Sequence, residues 1–162
     1  MPASPFHIVL VRPEIPQNTG SIARLAAATQ CRLHLVGPLG FSLEDRYLKR
    51  AGLDYWPLVD LCVYDDWNNF ACVQNYTTES PGFRYFSVHA EKSYLKAEFQ
   101  QGDFLVFGSE TKGLGQEFLE RVRPSAYRIP IFERGVRSLN LANAVSIIVY
   151  EGLRQTGLLS DR

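Results

Sequence analysis

Three short segments gather asparagine, arginine, serine and glycine, the residue types that grip polar ligands. In the first, Pro16-Gln17-Asn18-Thr19-Gly20-Ser21-Ile22-Ala23-Arg24, an amide stands six residues before a guanidinium. Such a pair suits a phosphate or a ribose, which accept forked donors. The plainer roles are a helix cap at Asn18 or Thr19 and a surface arginine at Arg24. The second segment is Phe107-Gly108-Ser109-Glu110-Thr111-Lys112-Gly113-Leu114-Gly115. Glycine there lets backbone come close to a ligand. The segment has neither the Walker A spacing nor G-x-G-x-x-G, so a nucleotide-like ligand would be held without either phosphate cradle. A strand-to-helix turn is its plainer role. The third runs from Ile129-Pro130-Ile131 through Phe132-Glu133-Arg134-Gly135-Val136-Arg137 to Ser138-Leu139-Asn140-Leu141-Ala142-Asn143. Ser138 can cap a helix. Capping does not account for Asn140 and Asn143, because asparagine is poor inside helices, so both are expected to serve contacts.

The elements that must position these loops alternate strand and helix. Apolar runs predict strands at 7–11, 32–36, 58–64, 83–88, 104–108 and 127–131. Helices are predicted after Asn18, from Ser42-Leu43-Glu44-Asp45 to Gly52, through Trp67 and Phe70, over Gln116–Val122, and from about Asn140 to Thr156. The alternation predicts an α/β fold, a mainly parallel sheet flanked by helices. In such sheets ligands bind outside the carboxyl ends of the strands, where all three segments fall. The last helix holds AVSIIVY (144–150), apolar nearly all round, so more than one side must be covered. A second subunit, or a position between sheet and loop, would do this. His7 and His34 lie in strands and read as core or rim residues. His89 follows the fourth strand as a substrate-contact candidate.

The composition is that of one globular domain, residues 1–162, with 46% hydrophobic and 21% charged residues. No apolar run approaches the ~20 residues of a membrane helix, and the first residues lack the basic start of a secretory signal. Cys31, Cys62 and Cys72 are odd in number and show no C-x-x-C, which argues against a disulfide framework or a metal site and fits a cytoplasmic protein. Net charge is zero. Residues 1–53 carry six basic and three acidic side chains, 54–111 three and nine, and 112–162 eight and five. If the basic ends meet in space, a neutral chain can still present a basic face; the plainer reading is a scatter of solvated charges.

Taken together, the three segments resemble the motifs of the SPOUT superfamily of RNA methyltransferases. The match is closest to the minimal TrmL type, which 2′-O-methylates the wobble nucleotide of tRNA. His7-Ile8-Val9-Leu10, Glu14-Ile15-Pro16-Gln17-Asn18-Thr19-Gly20, Arg50-Ala51-Gly52-Leu53-Asp54-Tyr55, Gly108-Ser109-Glu110-Thr111-Lys112-Gly113-Leu114 and Ser138-Leu139-Asn140-Leu141-Ala142-Asn143-Ala144-Val145-Ser146 carry it. The resemblance implies a C-terminal trefoil knot, S-adenosyl-L-methionine as cofactor, and no metal. It places cofactor contacts at Val88, Gly108, Ile129, Ser138 and Leu139. It makes Arg24, Asn18, Ser138 and Asn140 the catalytic set, with Arg24 either a base or a clamp on phosphate and developing alkoxide. Guanidinium is effectively always protonated, which favours the clamp. The implied partners are the tRNA anticodon stem-loop and a second copy of the chain. Larger relatives carry an N-terminal RNA-binding extension, so here the catalytic domain is expected to hold the tRNA itself. Another RNA such as rRNA as substrate, or an RNA-binding protein that has lost catalysis, are the competing expectations.

Overall fold

The structure, a computed structural model, describes residues 3–52 and 55–160, so Leu53 and Asp54 of the Arg50–Tyr55 segment lie outside it. Seven strands make one sheet: β1 (His7–Val11), β2 (Arg32–Val36), β3 (Leu61–Tyr64), β4 (Phe83–Phe86), β5 (Lys92–Ser93), β6 (Phe104–Phe107) and β7 (Ala126–Arg128). Their order is β3-β2-β1-β6-β4-β7-β5 and every pairing is parallel. Helices α1 (Pro16–Thr29), α2 (Arg46–Gly52), α3 (Trp67–Gln74), α4 (Gln116–Val122) and α5 (Leu141–Gln155) complete it. Parallel strands covered on both faces read as nearly continuous apolar runs, as in IVLV of β1 and FLVF of β6. Ile8 and Leu10 of β1 pack with Ile22 of α1 and Ile148 of α5 on one face. Val9 packs with Phe70 of α3 and Leu119 of α4 on the other.

The winding creates the site. From β1 the chain runs outward through β2 and β3, then crosses to the other side of β1. The direction therefore reverses between the neighbours β1 and β6, and the loops that follow them diverge at adjacent strand ends. That is where open α/β sheets hold ligands. α1 is seated from its outer side by α2. A Cβ on Gly20 would stand 2.4 Å from the Ala51 Cβ, so only glycine permits this approach of the two helices.

Several predicted boundaries move. The strand expected at 58–64 starts at Leu61, because Trp56–Leu58 form a 3₁₀ turn around Pro57. The strand expected at 83–88 stops at Phe86, and Ser87–Ala90 turn towards the cleft, with the Ala90 N–H on the Ser87 carbonyl at 3.2 Å. The strand expected at 127–131 covers 126–128, since Pro130 has no N–H to extend a ladder. α2 begins at Arg46 rather than Ser42, with the Asp45 carboxylate accepting from the N–H groups of Tyr47 (2.8 Å) and Leu48 (3.4 Å). The two-residue strand β5 was too short to read from the sequence.

His34 is core, as expected, and it is part of a chain. His7 Nδ1 lies 2.8 Å from His34 Nε2, His34 Nδ1 lies 2.9 Å from the Tyr64 hydroxyl, and Gln74 Nε2 donates to that hydroxyl at 3.1 Å. Burial, helped by the Arg32 charge, pushes His7 down to about 4, and burial, helped by the charges of His7 and Arg32, pushes His34 to about 3. Both rings are neutral when folded, whereas the unfolded chain takes up protons near the ordinary value of 6.5. The unfolded state thus binds more protons between those limits, and stability must fall as pH falls through 6.5 towards 4. Melting temperature measured from pH 7.5 to 4.5 should decline, with a shallower slope in His7→Gln. An identical slope in that variant would show that the rings do not carry the effect.

α5 buries one stripe, Val145, Ile148, Val149, Gly152 and Leu153, against the sheet and α1. Ile147 and Tyr150 remain 36% and 46% exposed. The fold therefore covers one side of AVSIIVY and leaves apolar surface on another.

Candidate functional site

A cleft of about 920 Å³ opens at the carboxyl ends of β4, β6 and β7. Its volume lies within the range of small-molecule sites. Val88 and His89 from the turn after β4, Gly108 to Gly115 from the loop after β6, and Ile129 and Ile131 after β7 form three walls. Ser138, Leu139 and Asn140 form the fourth, and Asn18 closes one corner.

The loop after β6 is a tight reversal. Ser109 and Gly113 exchange backbone hydrogen bonds of 3.2 and 2.9 Å, and the Lys112 N–H donates to the Ser109 hydroxyl at 3.2 Å. A Cβ on Gly108 would fall 2.0 Å from the Gly113 carbonyl carbon. The glycine is thus demanded by the loop's own backbone, and not merely by room for a ligand as the sequence suggested. Gly108→Val should lower the melting temperature by roughly 2–12 °C, the effect of about 1–3 kcal/mol of overpacking in a chain of this size. Calorimetric melting checks this, and an unchanged transition would show that the loop yields freely.

The loop is locked to the start of α1 by two carboxylates. Glu110 accepts from the N–H groups of Glu14 and Ile15, both at 2.8 Å, and from Asn18 Nδ2 at 3.2 Å. α1 has no capping side chain of its own and no acidic residue in its first turn. Glu110 supplies that negative charge from 95 residues away, where the helix dipole favours it. In return, Glu14 accepts from the Thr111 N–H at 3.1 Å and hydroxyl at 2.7 Å. Those two donors hold the Glu14 carboxyl below its usual range.

The third loop joins the same network. Asn140 Nδ2 donates to Asn18 Oδ1 at 2.9 Å, while Asn140 Oδ1 accepts from the Asn143 N–H at 3.2 Å. Asn140, not Ser138, is therefore the cap of α5, which corrects the expectation that capping leaves Asn140 unexplained. It caps with its oxygen and braces with its amide. Asn18 likewise is not the cap of α1, which begins at Pro16 after Ile15. Asn18 is nearly buried, with its amide spanning Glu110 and Asn140.

Of the residues expected at the site, Val88, Gly108, Ile129, Ser138, Leu139, Asn18 and Asn140 border this one cleft. Arg24 does not. It sits two turns further along α1, exposed, with its guanidinium 4.8 Å above the Tyr55 ring. Sequence reasoning gave no role to Glu14, Glu110 and Thr111. The signal available was a helix start without an acidic residue or cap, together with a carboxylate inside a glycine loop. The cleft walls offer apolar side chains, backbone groups and hydroxyls, with Glu110, Lys112 and Arg137 among the lining residues.

Comparison with known proteins agrees with this arrangement. The profile of the SpoU rRNA Methylase family matches residues 5–150. A tRNA (cytidine(34)-2′-O)-methyltransferase of Polaromonas sp. is 45% identical over 155 residues, spanning 94% of this chain and 92% of its own. A structure solved for insight into 2-OH methylation of C/U34 on tRNA superposes with a TM-score of 0.82 at 47% identity, covering 93% of this chain and 95% of that one. The SpoU methyltransferase AviRb from Streptomyces viridochromogenes, solved with the cofactor AdoMet, shares the fold at a TM-score of 0.79 and 24% identity. That superposition covers 96% of this chain and 66% of that one.

Proposed function

The chain belongs to the SpoU rRNA methylase family, and on that premise we propose that it is a tRNA ribose 2′-O-methyltransferase. It uses S-adenosyl-L-methionine and acts on nucleotide 34, the wobble position, where the base is a cytidine or a uridine. The observation that carries this reading is the meeting of three distant motifs at one cleft, tied by the Glu110–Asn18–Asn140 hydrogen bonds. The curated relative that matches almost its whole length is named for this reaction on tRNA, which favours tRNA over rRNA as substrate. Retention of Asn18, Arg24, Ser138 and Asn140 argues against a protein that only binds RNA.

The apolar cleft suits an adenosine, with Val88, Ile129 and Leu139 against the base and the backbone of the Gly108 loop at its edge. When bound, S-adenosylmethionine supplies an electrophilic methyl on its sulfonium. The protein's share of the work is positioning. Asn18 and Asn140 fix the corner where the ribose enters, and Ser138 offers a hydroxyl there. Arg24 is permanently charged, so it grips a flanking phosphate and stabilises charge growing on the 2′-oxygen. Because Arg24 stands outside its own cleft, it acts on the cleft of a second copy. The homodimer that this requires would also cover Ile147 and Tyr150 of α5. The whole chain, residues 1–162, is read as one cytoplasmic methyltransferase domain. The trefoil knot is what the family resemblance implies for its C-terminal part, with Gly152 of α5 packed close against Phe6 before β1. Mapping ribose methylation in RNA from a deletion strain tests the reading. Methylation should vanish at nucleotide 34 of tRNA, and loss only at an rRNA site would overturn it.

A further inference from the structure

The segment between β7 and α5 holds a side chain that the cofactor cleft leaves unused. Phe132 is 97% exposed, more than any other large apolar residue among those described. An exposed aromatic ring offers a large flat apolar face on which another ring can stack. Its position says where that other ring would lie. Ile131 before it and Arg137 and Ser138 after it line the cleft, so the ring stands at the cleft's mouth.

The charges around it point the same way. Among the described residues neither Arg134 nor Arg137 has a carboxylate within ion-pair distance. The acidic residue between them and Phe132 is spent on the loop itself. Glu133 Oε1 accepts from the Gly135 N–H at 2.9 Å, and the Glu133 carbonyl accepts from the Val136 N–H at 3.1 Å. The turn that Glu133 builds thus carries one open aromatic face and two guanidiniums.

We propose that Phe132, Arg134 and Arg137 seat single-stranded RNA across the cleft, the ring stacking on the base beside the target nucleotide and the guanidiniums holding flanking phosphates. The inference rests on the RNA methyltransferase reading. An aromatic face between cations is the composition by which unpaired strands are held, because every base has a face to stack. A paired helix offers no such face at this site. The ring therefore selects a loop over a stem, whatever the base identity.

The test compares Phe132→Ala and Phe132→Trp with the parent protein, using a tRNA that the parent methylates. KM for tRNA should rise about tenfold in Phe132→Ala, the lower part of the range for a lost stacking contact. Phe132→Trp should restore it. Affinity for S-adenosylmethionine by calorimetry and mass by sedimentation should match the parent in both. An unchanged KM in Phe132→Ala overturns the proposal. So does a fall in cofactor affinity or in assembly that accounts for the rise, since the ring would then serve the cofactor or a second copy of the chain. A parent protein that methylates no tRNA would instead refute the function on which the inference rests.

Discussion

Arg24→Ala is expected to leave S-adenosylmethionine affinity within about twofold and to cut methyl transfer by on the order of 10²–10³, the usual effect of removing one charge-stabilising donor. The asymmetry follows from position. The cleft walls come from the turns after β4, β6 and β7, whereas Arg24 is carried by α1 and rests over Tyr55, outside its own cleft. Arg24→Lys should fall between the two, because a lysine keeps the charge and loses the forked geometry that suits a phosphate. Single-turnover rates and calorimetry on the same sample measure both quantities. Loss of cofactor affinity in Arg24→Ala would place the arginine in the cofactor site and undo its assignment. Full activity would remove it from the reaction.

Glu110→Ala should have the largest structural effect of any single change at the cleft. The carboxylate accepts from two backbone N–H groups and from the Asn18 amide, and Asn18 in turn holds Asn140. Removing it leaves the start of α1 without its cap and frees the loop from the helix. Hydrogen bonds to a charged group contribute roughly 1.5–3 kcal/mol each. Discounted for partial exposure, the loss comes to about 2–4 kcal/mol, or roughly 4–16 °C in melting temperature at this chain length. Cofactor affinity should fall at least tenfold, because one wall of the cleft is no longer held. Amide exchange at Glu14 and Ile15 should accelerate. A variant with native melting temperature and native exchange at those amides would mean that the carboxylate only decorates the loop.

The parts legible in the sequence are those set by local pattern. His7–Val11, Arg32–Val36 and Phe104–Phe107 announce themselves as apolar runs because parallel strands are buried on both faces. The motif loops were legible because glycine and asparagine cluster after such runs. What the sequence hid depends on partners far along the chain. Asn140 looked misplaced in a helix until its amide was seen to meet Asn18, 122 residues away. Asn18 looked like a cap because Glu110, the group that fills that role, lies in another loop. Gly108 looked like a place for a ligand, and its nearest obstacle is Gly113 of its own loop. The strand boundary at Leu61 shifted because Pro57 favours a turn over a ladder. Even the short β5 follows this rule, as its register with Tyr127 and Arg128 is set by β7 alone.

The central claim is a methyl group on one oxygen of one nucleotide. Purified protein with labelled S-adenosylmethionine should transfer one methyl per tRNA, mapped to the 2′-oxygen of nucleotide 34. The same tRNA carrying a 2′-deoxyribose at position 34 should accept none. Transfer that persists on the deoxy substrate, or a methyl mapped to a base or to another nucleotide, would contradict the account.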